Sequence, residues 1–581
     1  MLKLKKVWPI FLILIVALLM VAPQMITRGL VLETDSLFHF NRIFDTYSQF
    51  KAHSINYFQM NYGYEQSGRI INALYGPYFA YFLGAVLFVS GSWVKFEIVS
   101  SFLLFFVAGL NMYFLAKKLK ANTLYSLLAA ILFMTSPFIT AWQTSQQFTS
   151  WGVSVMPLVI YFGVDMISAS KVKILGLAGS VSLIIQIHVF SAFLSIVVLF
   201  ILFMLSMVLN KQRVQILKEV ILAAVIAVFL TANVWGGMLD VFLRNKVFPP
   251  FPVLTMAART TTFSLTQIPD VTLDFGPVMF VIAILTIALL FFAKTTRITK
   301  VLLAVGYTFL VISSKLLPWN DLAKSFPQLS TFLQFPVRLA AVFIVLVLPG
   351  LAVLLTELHI KSNGFRTLAV GLCTALIFSG VILEVSSAYM ASSVWNSSVL
   401  MRRTTNLFLT RKASTTQIRE AFSSNDLGEG LELLTKPSPD YLPAKEEITA
   451  RNYVNVHPYG QYYTGIISKN ANYKKTVKGQ KLITSWKSGS KKAIQVPVIA
   501  YSGTEVVLNG KRLSGTNYRT NGIGCLEVQQ RKGINTLITD YHAHWWAGVL
   551  IVVSAIATVL YASLIIGLWT MRLKQNSRAA Y

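Results

Sequence analysis

The sequence predicts a polytopic α-helical membrane protein of about 12–13 transmembrane helices, with an extracytoplasmic β-rich, sandwich-like domain before the last helix. Three observations carry this prediction. Hydrophobic residues make up 55% of the 581 residues and charged residues only 13%, where a soluble chain carries about 25% charged residues. Apolar runs approaching the ~20 residues that span a bilayer recur along most of the length. One long segment, 391–544, interrupts that pattern and turns polar.

The first run, MLKLKKVWPIFLILIVALLMVAP, has the basic start and apolar core of a signal peptide. It lacks the small-x-small cleavage site, so it reads as an uncleaved first span entering from the cytoplasm. Further span candidates are 71–91, 94–116, 122–140, 152–168, 173–187, 189–209, 216–235, 276–293, 299–314, 336–356, 364–388 and 546–570. The 173–209 stretch could also be one long bent helix. Both termini are basic, which asks for an even number of crossings, whereas these runs make thirteen. The weakest crosser is 71–91, interrupted by Gly76-Pro77, which could be re-entrant.

The net charge is +28. Much of the excess lies in short loops between apolar runs, such as Lys117, Lys118 and Lys120, or Lys294, Arg297 and Lys300. Short basic loops mark the cytoplasmic side, so nucleic-acid binding is excluded as the explanation. That orientation divides the chain into a multispanning domain, 1–390, an outer domain, 391–544, and a last span with a cytoplasmic tail, 545–581. The outer segments are then 28–70, 136–151, 236–275, 314–335 and 391–544.

The 391–544 segment carries 21 Lys and Arg against 10 acids, and long loops cross regardless of charge. It reads as β-rich from about residue 450. Asn509-Gly510 between TEVVL and KRL is a hairpin signal, and Lys532-Gly533 in CLEVQQRKGINTLITDY is a second hairpin candidate. Two cysteines, Cys373 and Cys525, support neither a disulfide framework nor a Cys-based zinc cluster.

Chemistry concentrates directly after the first span, in RGLVLETDSLFHFNRIFD. Glu33, Asp35, His39, Arg42 and Asp45 fall within thirteen residues. On a helix Asp35 and His39 are i,i+4 neighbours and Arg42 follows on the same face. That face is either a reactive surface or the polar side of an amphipathic interfacial helix. A second feature is LQFPVRLAAVF at 333–343. Pro336 suits a first helical turn, and Arg338 then sits just inside the outer boundary, where it must snorkel, pair or bind an anion.

At these residues the chain resembles the GT-C superfamily of integral-membrane glycosyltransferases. Glu33-Thr34-Asp35 matches the ExD form of that superfamily's first-loop motif. Asp35-Ser-Leu-Phe-His39-Phe-Asn-Arg42 with Gln334-Phe335-Pro336-Val337-Arg338 is similar to the bacterial YfhO-like group. Within it, the nearest resemblance is to membrane proteins labelled "6-pyruvoyl-tetrahydropterin synthase-related", although no histidine set for such a synthase's zinc is present. Val337 stands where that resemblance leads one to expect an aromatic residue.

The resemblance implies sugar transfer at the outer face of a bacterial plasma membrane. The donor would be a polyprenyl-phosphate-linked sugar, supplied by a separate donor-sugar synthase. The acceptor would be a cell-envelope glycopolymer or glycolipid. It implies Asp35 as the general base, with Glu33 and His39 sharing the catalytic site; His39 would share or orient the base, or bind the leaving phosphate when protonated. Arg42, Arg338, Gln334 and His188 would bind substrate or the lipid phosphate. Glu33 and Asp35 could hold a divalent metal, Mg or Mn. Single displacement with inversion would follow from a base without a covalent nucleophile.

Other polar residues have two readings each. His188 either reaches the same cavity or packs between helices. Trp142, Gln143, Gln146 and Gln147 either bind sugar or fill the interface. Asp240, Arg244, Asp270 and Asp274 are either plain outer-loop charges or contacts for the donor lipid, and NYVNVHPYGQYYTG either binds glycans or is plain strand surface, the second being the simpler reading. Two other classes fit the composition: a transporter or flippase for lipid-linked glycans, and a non-catalytic envelope-assembly protein. A transporter would carry polar groups near the bilayer midplane, whereas the charges here cluster at one face.

Overall fold

The structure is a computed structural model that describes residues 4–33, 35–168, 171–263, 275–358, 363–401 and 407–578. Asp270 and Asp274 lie outside the described residues, as does Thr34 of the Glu-x-Asp motif. The protein is a polytopic helical membrane protein with a β-rich C-terminal region.

Among the described residues eight helices are long and apolar enough to cross a membrane, fewer than the 12–13 expected. The shortfall has geometric causes. The 173–209 stretch breaks at His188 into Ile174–Ile187 and Val189–Leu209. A helix of 14 residues reaches about 21 Å at 1.5 Å per residue, short of the ~30 Å hydrocarbon core. Arg213–Leu230 and Ala232–Arg244 meet at a 62° bend and count together as a ninth. Pro277–Phe292 is also short, and Arg297–Ser313 is 17 residues long.

Helices α1 (Leu4–Thr27), α2 (Ser36–Lys51), α3 (Pro77–Ser90) and α4 (Trp93–Lys118) position the site. The run at 71–91 does not behave as a crosser. Gly76, at the start of α3, has φ +60, and a Cβ there would lie 2.7 Å from the Ile187 carbonyl. The start of α3 is therefore pinned to the His188 break. Its other end, at Ser90, shares one cavity with Met25 and Arg28 after α1 and with Ser92 and Lys95 at the start of α4. Both ends of α3 thus lie at one end of the bundle, where α1 finishes and α4 begins. Its apolar composition lets it lie along the interface, with Phe82, Phe88 and Val89 exposed. α2 packs along it, Thr46 Oγ1 donating to the Ala80 carbonyl at 3.0 Å.

The C-terminal strands are β1 (Lys474–Lys478), β2 (Lys481–Ser488), β3 (Ala493–Ile499), β4 (Thr504–Leu508), β5 (Lys511–Leu513), β6 (Arg519–Thr520), β7 (Cys525–Gln529) and β8 (Gly533–Tyr541). They form a five-stranded sheet, β1-β2-β8-β4-β5, and a three-stranded sheet, β6-β7-β3. Alternating apolar residues, including Leu482, Trp486, Val496, Val498, Leu526, Val528 and Leu537, form one buried cluster between them.

The Asn509-Gly510 hairpin forms as expected, with φ 51 and 82 at the two turn residues, the signs a type I′ turn needs. The Lys532-Gly533 hairpin does not form. β7 pairs with β3 while β8 pairs with β2 and β4, so the chain there crosses between sheets. Gly533 keeps the turn signal, with φ 93, but burial of both strands in the sandwich core selects their partners. Regular strands begin at Lys474 rather than near 450. NYVNVHPYGQYYTG forms turns and a helix at Pro458–Gly465, with Tyr453 and Tyr462 buried rather than on a strand surface.

Candidate functional site

The site lies at the end of the bundle where α1 finishes. Its floor is a buried polar network. Glu97, on α4, accepts hydrogen bonds from Gln24 Nε2 at 2.6 Å, Val31 N at 3.0 Å and Gln146 Nε2 at 2.9 Å. Ser36 donates to Gln146 and accepts from Glu33 N at 2.7 Å. These bonds fix the turn from residue 29 to 36 and so set the position of Asp35, the residue preceding α2. Trp142 and Gln143 are buried as well, bonded to Ser100 and the Met20 carbonyl. The sugar-binding reading of Trp142, Gln143 and Gln146 therefore gives way to a structural one.

Asp35 is partly exposed, and Glu33 behind it is buried at 4%. Burial raises the Asp35 pKa above the usual carboxylate value, against the opposing charges of Lys436 and Arg338. A raised pKa makes a carboxylate a stronger proton acceptor, provided the pH keeps it ionised.

Two turns further along α2, Arg42 is 1% exposed. Its Nε donates to Asn72 Oδ1 at 3.0 Å, its Nη1 meets His39 Nδ1 at 3.2 Å, and its Nη2 donates to the Tyr75 carbonyl. The guanidinium also lies 4.4 Å from the Tyr75 ring centre and 4.9 Å from that of Phe148, a cation–π sandwich. His39 stacks on Phe148 with centroids 4.8 Å apart. Burial, and then the charge of Arg42, hold the His39 pKa well below its ordinary value. His39 is thus a neutral imidazole whose Nδ1 accepts from Arg42. That opposes the reading in which a protonated His39 meets the leaving phosphate.

Arg338 belongs to the 3-10 turn Pro336–Leu339 that opens the helix Ala340–Glu357. Unlike Arg42 it is partly exposed. Its Nη1 donates to the Leu333 carbonyl and to Gln334 Oε1, each at 3.1 Å, and its guanidinium lies 4.7 Å from the Phe335 ring centre. Gln334 donates in turn to the Phe251 carbonyl at 2.8 Å, so Gln334 positions Arg338. His188 Nδ1 lies 2.8 Å from Ser191 Oγ and accepts from Ser191 N at 3.3 Å. It caps Val189–Leu209, and its ring centre stands 5.8 Å from that of Tyr75.

The structure adds residues the sequence reading missed. The segment Thr435-Lys-Pro-Ser-Pro-Asp-Tyr-Leu-Pro-Ala444 packs on the same site, where Tyr441 joins Phe38, Tyr64 and Tyr75 in one cluster. Arg69, fully buried, donates to the Ser438 carbonyl at 2.7 Å and the Asp440 carbonyl at 2.6 Å. Tyr441 N donates to the Phe248 carbonyl at 2.8 Å, and the Tyr441 carbonyl accepts from Tyr501 at 3.0 Å. Tyr441 and Gln334 both hold left-handed backbone, φ 64 and 58, a strain that recurs at functional sites. Burial pushes the Asp440 carboxyl up to about 6, with Arg69 opposing and the nearby charge of Asp35 adding. Asp440, Tyr441 and Lys436 therefore face Asp35 from a segment 400 residues away. The one sequence signal was a Pro-rich stretch, Pro437, Pro439 and Pro443, around a single acid.

The metal reading does not fit this donor set. Among the described residues no group of three or more His, Cys, Asp or Glu side chains gathers as a metal site. A hard divalent cation takes six or more oxygens, and the leading charges around Asp35 are the cations Lys436 and Arg338. Asp240 is also committed elsewhere: it accepts from Tyr541 at 2.7 Å and His544 N at 3.0 Å, and stands 3.7 Å from Arg244, tying the sandwich to the bundle.

No protein-family model matches the chain, and no curated protein does. Among solved structures it is similar to the arabinofuranosyltransferase AftD from Mycobacteria, at 16% identity and a TM-score of 0.43 over 66% of this chain and 27% of that one. It is also similar to the Archaeoglobus fulgidus oligosaccharyltransferase in its apo form, at 15% identity and a TM-score of 0.33, covering 72% of this chain and 60% of that one. The same enzyme, AglB, in complex with an inhibitory peptide and a dolichol-phosphate gives 14% identity and a TM-score of 0.33. The chain spans less than two thirds of the length of these proteins.

Proposed function

We infer that this chain is a GT-C-type membrane glycosyltransferase that moves a sugar from a polyprenyl-phosphate donor to an envelope glycan on the outer face of a bacterial plasma membrane. The observation that carries the reading is a grouping of charges at one end of the helical bundle. Asp35, at the head of α2, has the cations Arg338 and Lys436 near enough for their charges to act on it. Transfer needs those two functions side by side. Asp35 takes the acceptor hydroxyl proton as the new oxygen–C1 bond forms. The C1–phosphate bond breaks, and the lipid phosphate leaves with the electron pair. Arg338 and Lys436 meet that growing negative charge, and Arg42 adds field from beneath. Attack from the face opposite the phosphate inverts the anomeric centre. Asp440 stands close enough for the charge of Asp35 to help hold its own carboxyl up at about 6.

The test compares envelope glycans of a deletion strain complemented with wild type, Asp35→Asn or Arg338→Ala, with membrane levels matched. Mass spectrometry is expected to find one sugar substituent missing from the deletion strain and restored only by wild type. Full restoration by both variants would sink the enzyme reading.

A further inference from the structure

The β-sandwich has a charge distribution that transfer chemistry does not require. Residues 474–541 contain twelve Lys and Arg against three acids. Six of the cations gather at one end, on three loops: Lys487, Lys491 and Lys492 between β2 and β3, Lys511 at the Asn509-Gly510 turn, and Arg531 and Lys532 between β7 and β8. All six are exposed. The loops themselves, WKSGSKK, NGK and QRKGIN, contain no acid.

These loops are held together rather than loosely adjacent. Asn535 receives the Arg531 backbone N–H at 2.9 Å and donates back to the Arg531 carbonyl at 2.8 Å. Asn509 Nδ2 donates to Asn535 Oδ1 at 3.1 Å, joining the hairpin turn to the same loop. Gln530 accepts from Trp486 Nε1 at 3.0 Å and donates to Ser490 at 3.2 Å, tying in the third loop. Like charges brought together cost stability unless a counter-charge arrives, so this construction makes sense as a receiving surface.

Its placement says what arrives. The bonds that dock the sandwich on the bundle come from its other end: Gln480 with Ile55 and Asn61, Ile499 with Ser67, and Arg244 with the His542 carbonyl. β8 runs from the tip at Gly533 to Tyr541, just before the last membrane helix. Its nine residues make eight steps of ~3.3 Å, which separate the tip from that docking end by about 26 Å. This is several Debye lengths at physiological salt, so headgroups beside the last helix are screened from the tip.

We propose that this tip is a docking surface for a polyanionic envelope glycopolymer, one bearing phosphodiester or uronate charges at regular intervals. Lysines on loops suit such a partner, because they follow a repeating charge without demanding one fixed geometry. The inference does not rest on the transfer reading, and its readout is binding.

The experiment uses the full chain in phosphatidylcholine nanodiscs, with long-chain polyphosphate, polygalacturonate and neutral dextran immobilised as probes. Wild type is expected to bind at least one polyanion and not dextran, with affinity falling as salt rises. Binding of polyphosphate alone identifies phosphodiester chemistry, and binding of polygalacturonate alone identifies uronate. The variant K487Q/K491Q/K492Q/K511Q/R531Q/K532Q should bind at least tenfold more weakly. A matched variant at the far end of the bundle, K211Q/R213Q/K218Q/K294Q/R297Q/K300Q, should stay within twofold of wild type. Replacing the five tip lysines by arginine should preserve binding, which separates charge from folding. Unchanged binding by the tip variant, equal loss in the matched variant, loss in the arginine variant, or binding to neither polyanion each overturns the proposal.

Discussion

The two arginines singled out beside the first-loop acid occupy opposite kinds of surroundings. Arg42 is sealed beneath the recess, with Asn72, His39 and the Tyr75 carbonyl taking its N–H groups and two aromatic rings covering its faces. Arg338 is braced along one edge by Leu333 and Gln334 and remains partly open. Both came from short motifs and both look like anion binders in sequence. Only the open one can change partners during a reaction. The sealed one supplies charge and holds His39, Asn72 and Tyr75 in place.

This contrast orders the expected effects. Asp35→Asn, which removes the base, should lower transfer about 10²–10⁴-fold with normal protein levels. Arg338→Ala should lower the rate about 10²–10³-fold, again with the folded protein retained. Lysine at 338 should recover part of that loss, because the charge returns without the fork. Arg42→Ala should act through folding. It strands three buried partners at about 1–3 kcal/mol each, so thermal unfolding in detergent should drop and membrane levels should fall. If Arg42→Ala kept its melting temperature and lost only activity, the division between the two arginines would be wrong.

The next effect is a shift rather than a loss. Asp35 has a raised pKa and Asp440 sits at about 6. A raised carboxylate pKa means protonation begins at higher pH, so the transfer rate should fall on acidification earlier than for an ordinary aspartate. Asp440, raised by burial and by the charge of Asp35, loses its own charge on acidification through about 6. Asp440→Asn removes that titration, so any inflection of the rate near pH 6 should vanish while the Asp35 limb remains. An inflection near 6 that survived the substitution would belong to another group. Smallest of all, Gln334→Ala should raise KM a few-fold with little change in kcat, because Arg338 keeps its Leu333 carbonyl bond.

The part of the site carried by α2 was readable because one helical period places Asp35, His39 and Arg42 on one face, and Pro336 marks the turn that presents Arg338. The part carried by Lys436, Asp440 and Tyr441 was not readable. Its position depends on Arg69 binding the Ser438 and Asp440 carbonyls and on Tyr501 reaching Tyr441, contacts between residues far apart in the chain. The same limit explains α3. Its composition suits a membrane crossing, but hydropathy reports the affinity of a segment for lipid and not the direction it takes there. The junction with Ile187 and the shared cavity with α1 and α4 set that direction.

By itself the sequence determined the membrane character of the chain, the acid-rich start of the first loop, the Asn509-Gly510 hairpin and the presence of a β-rich insert. Each of these is written in local composition or spacing. Tertiary structure alone decided which apolar helices are long enough to cross, which strands pair across the Lys532-Gly533 turn, which arginine stays open, and which distant acid faces Asp35. Those outcomes depend on burial against partners far along the chain, and burial is a property of the folded whole rather than of any window within it.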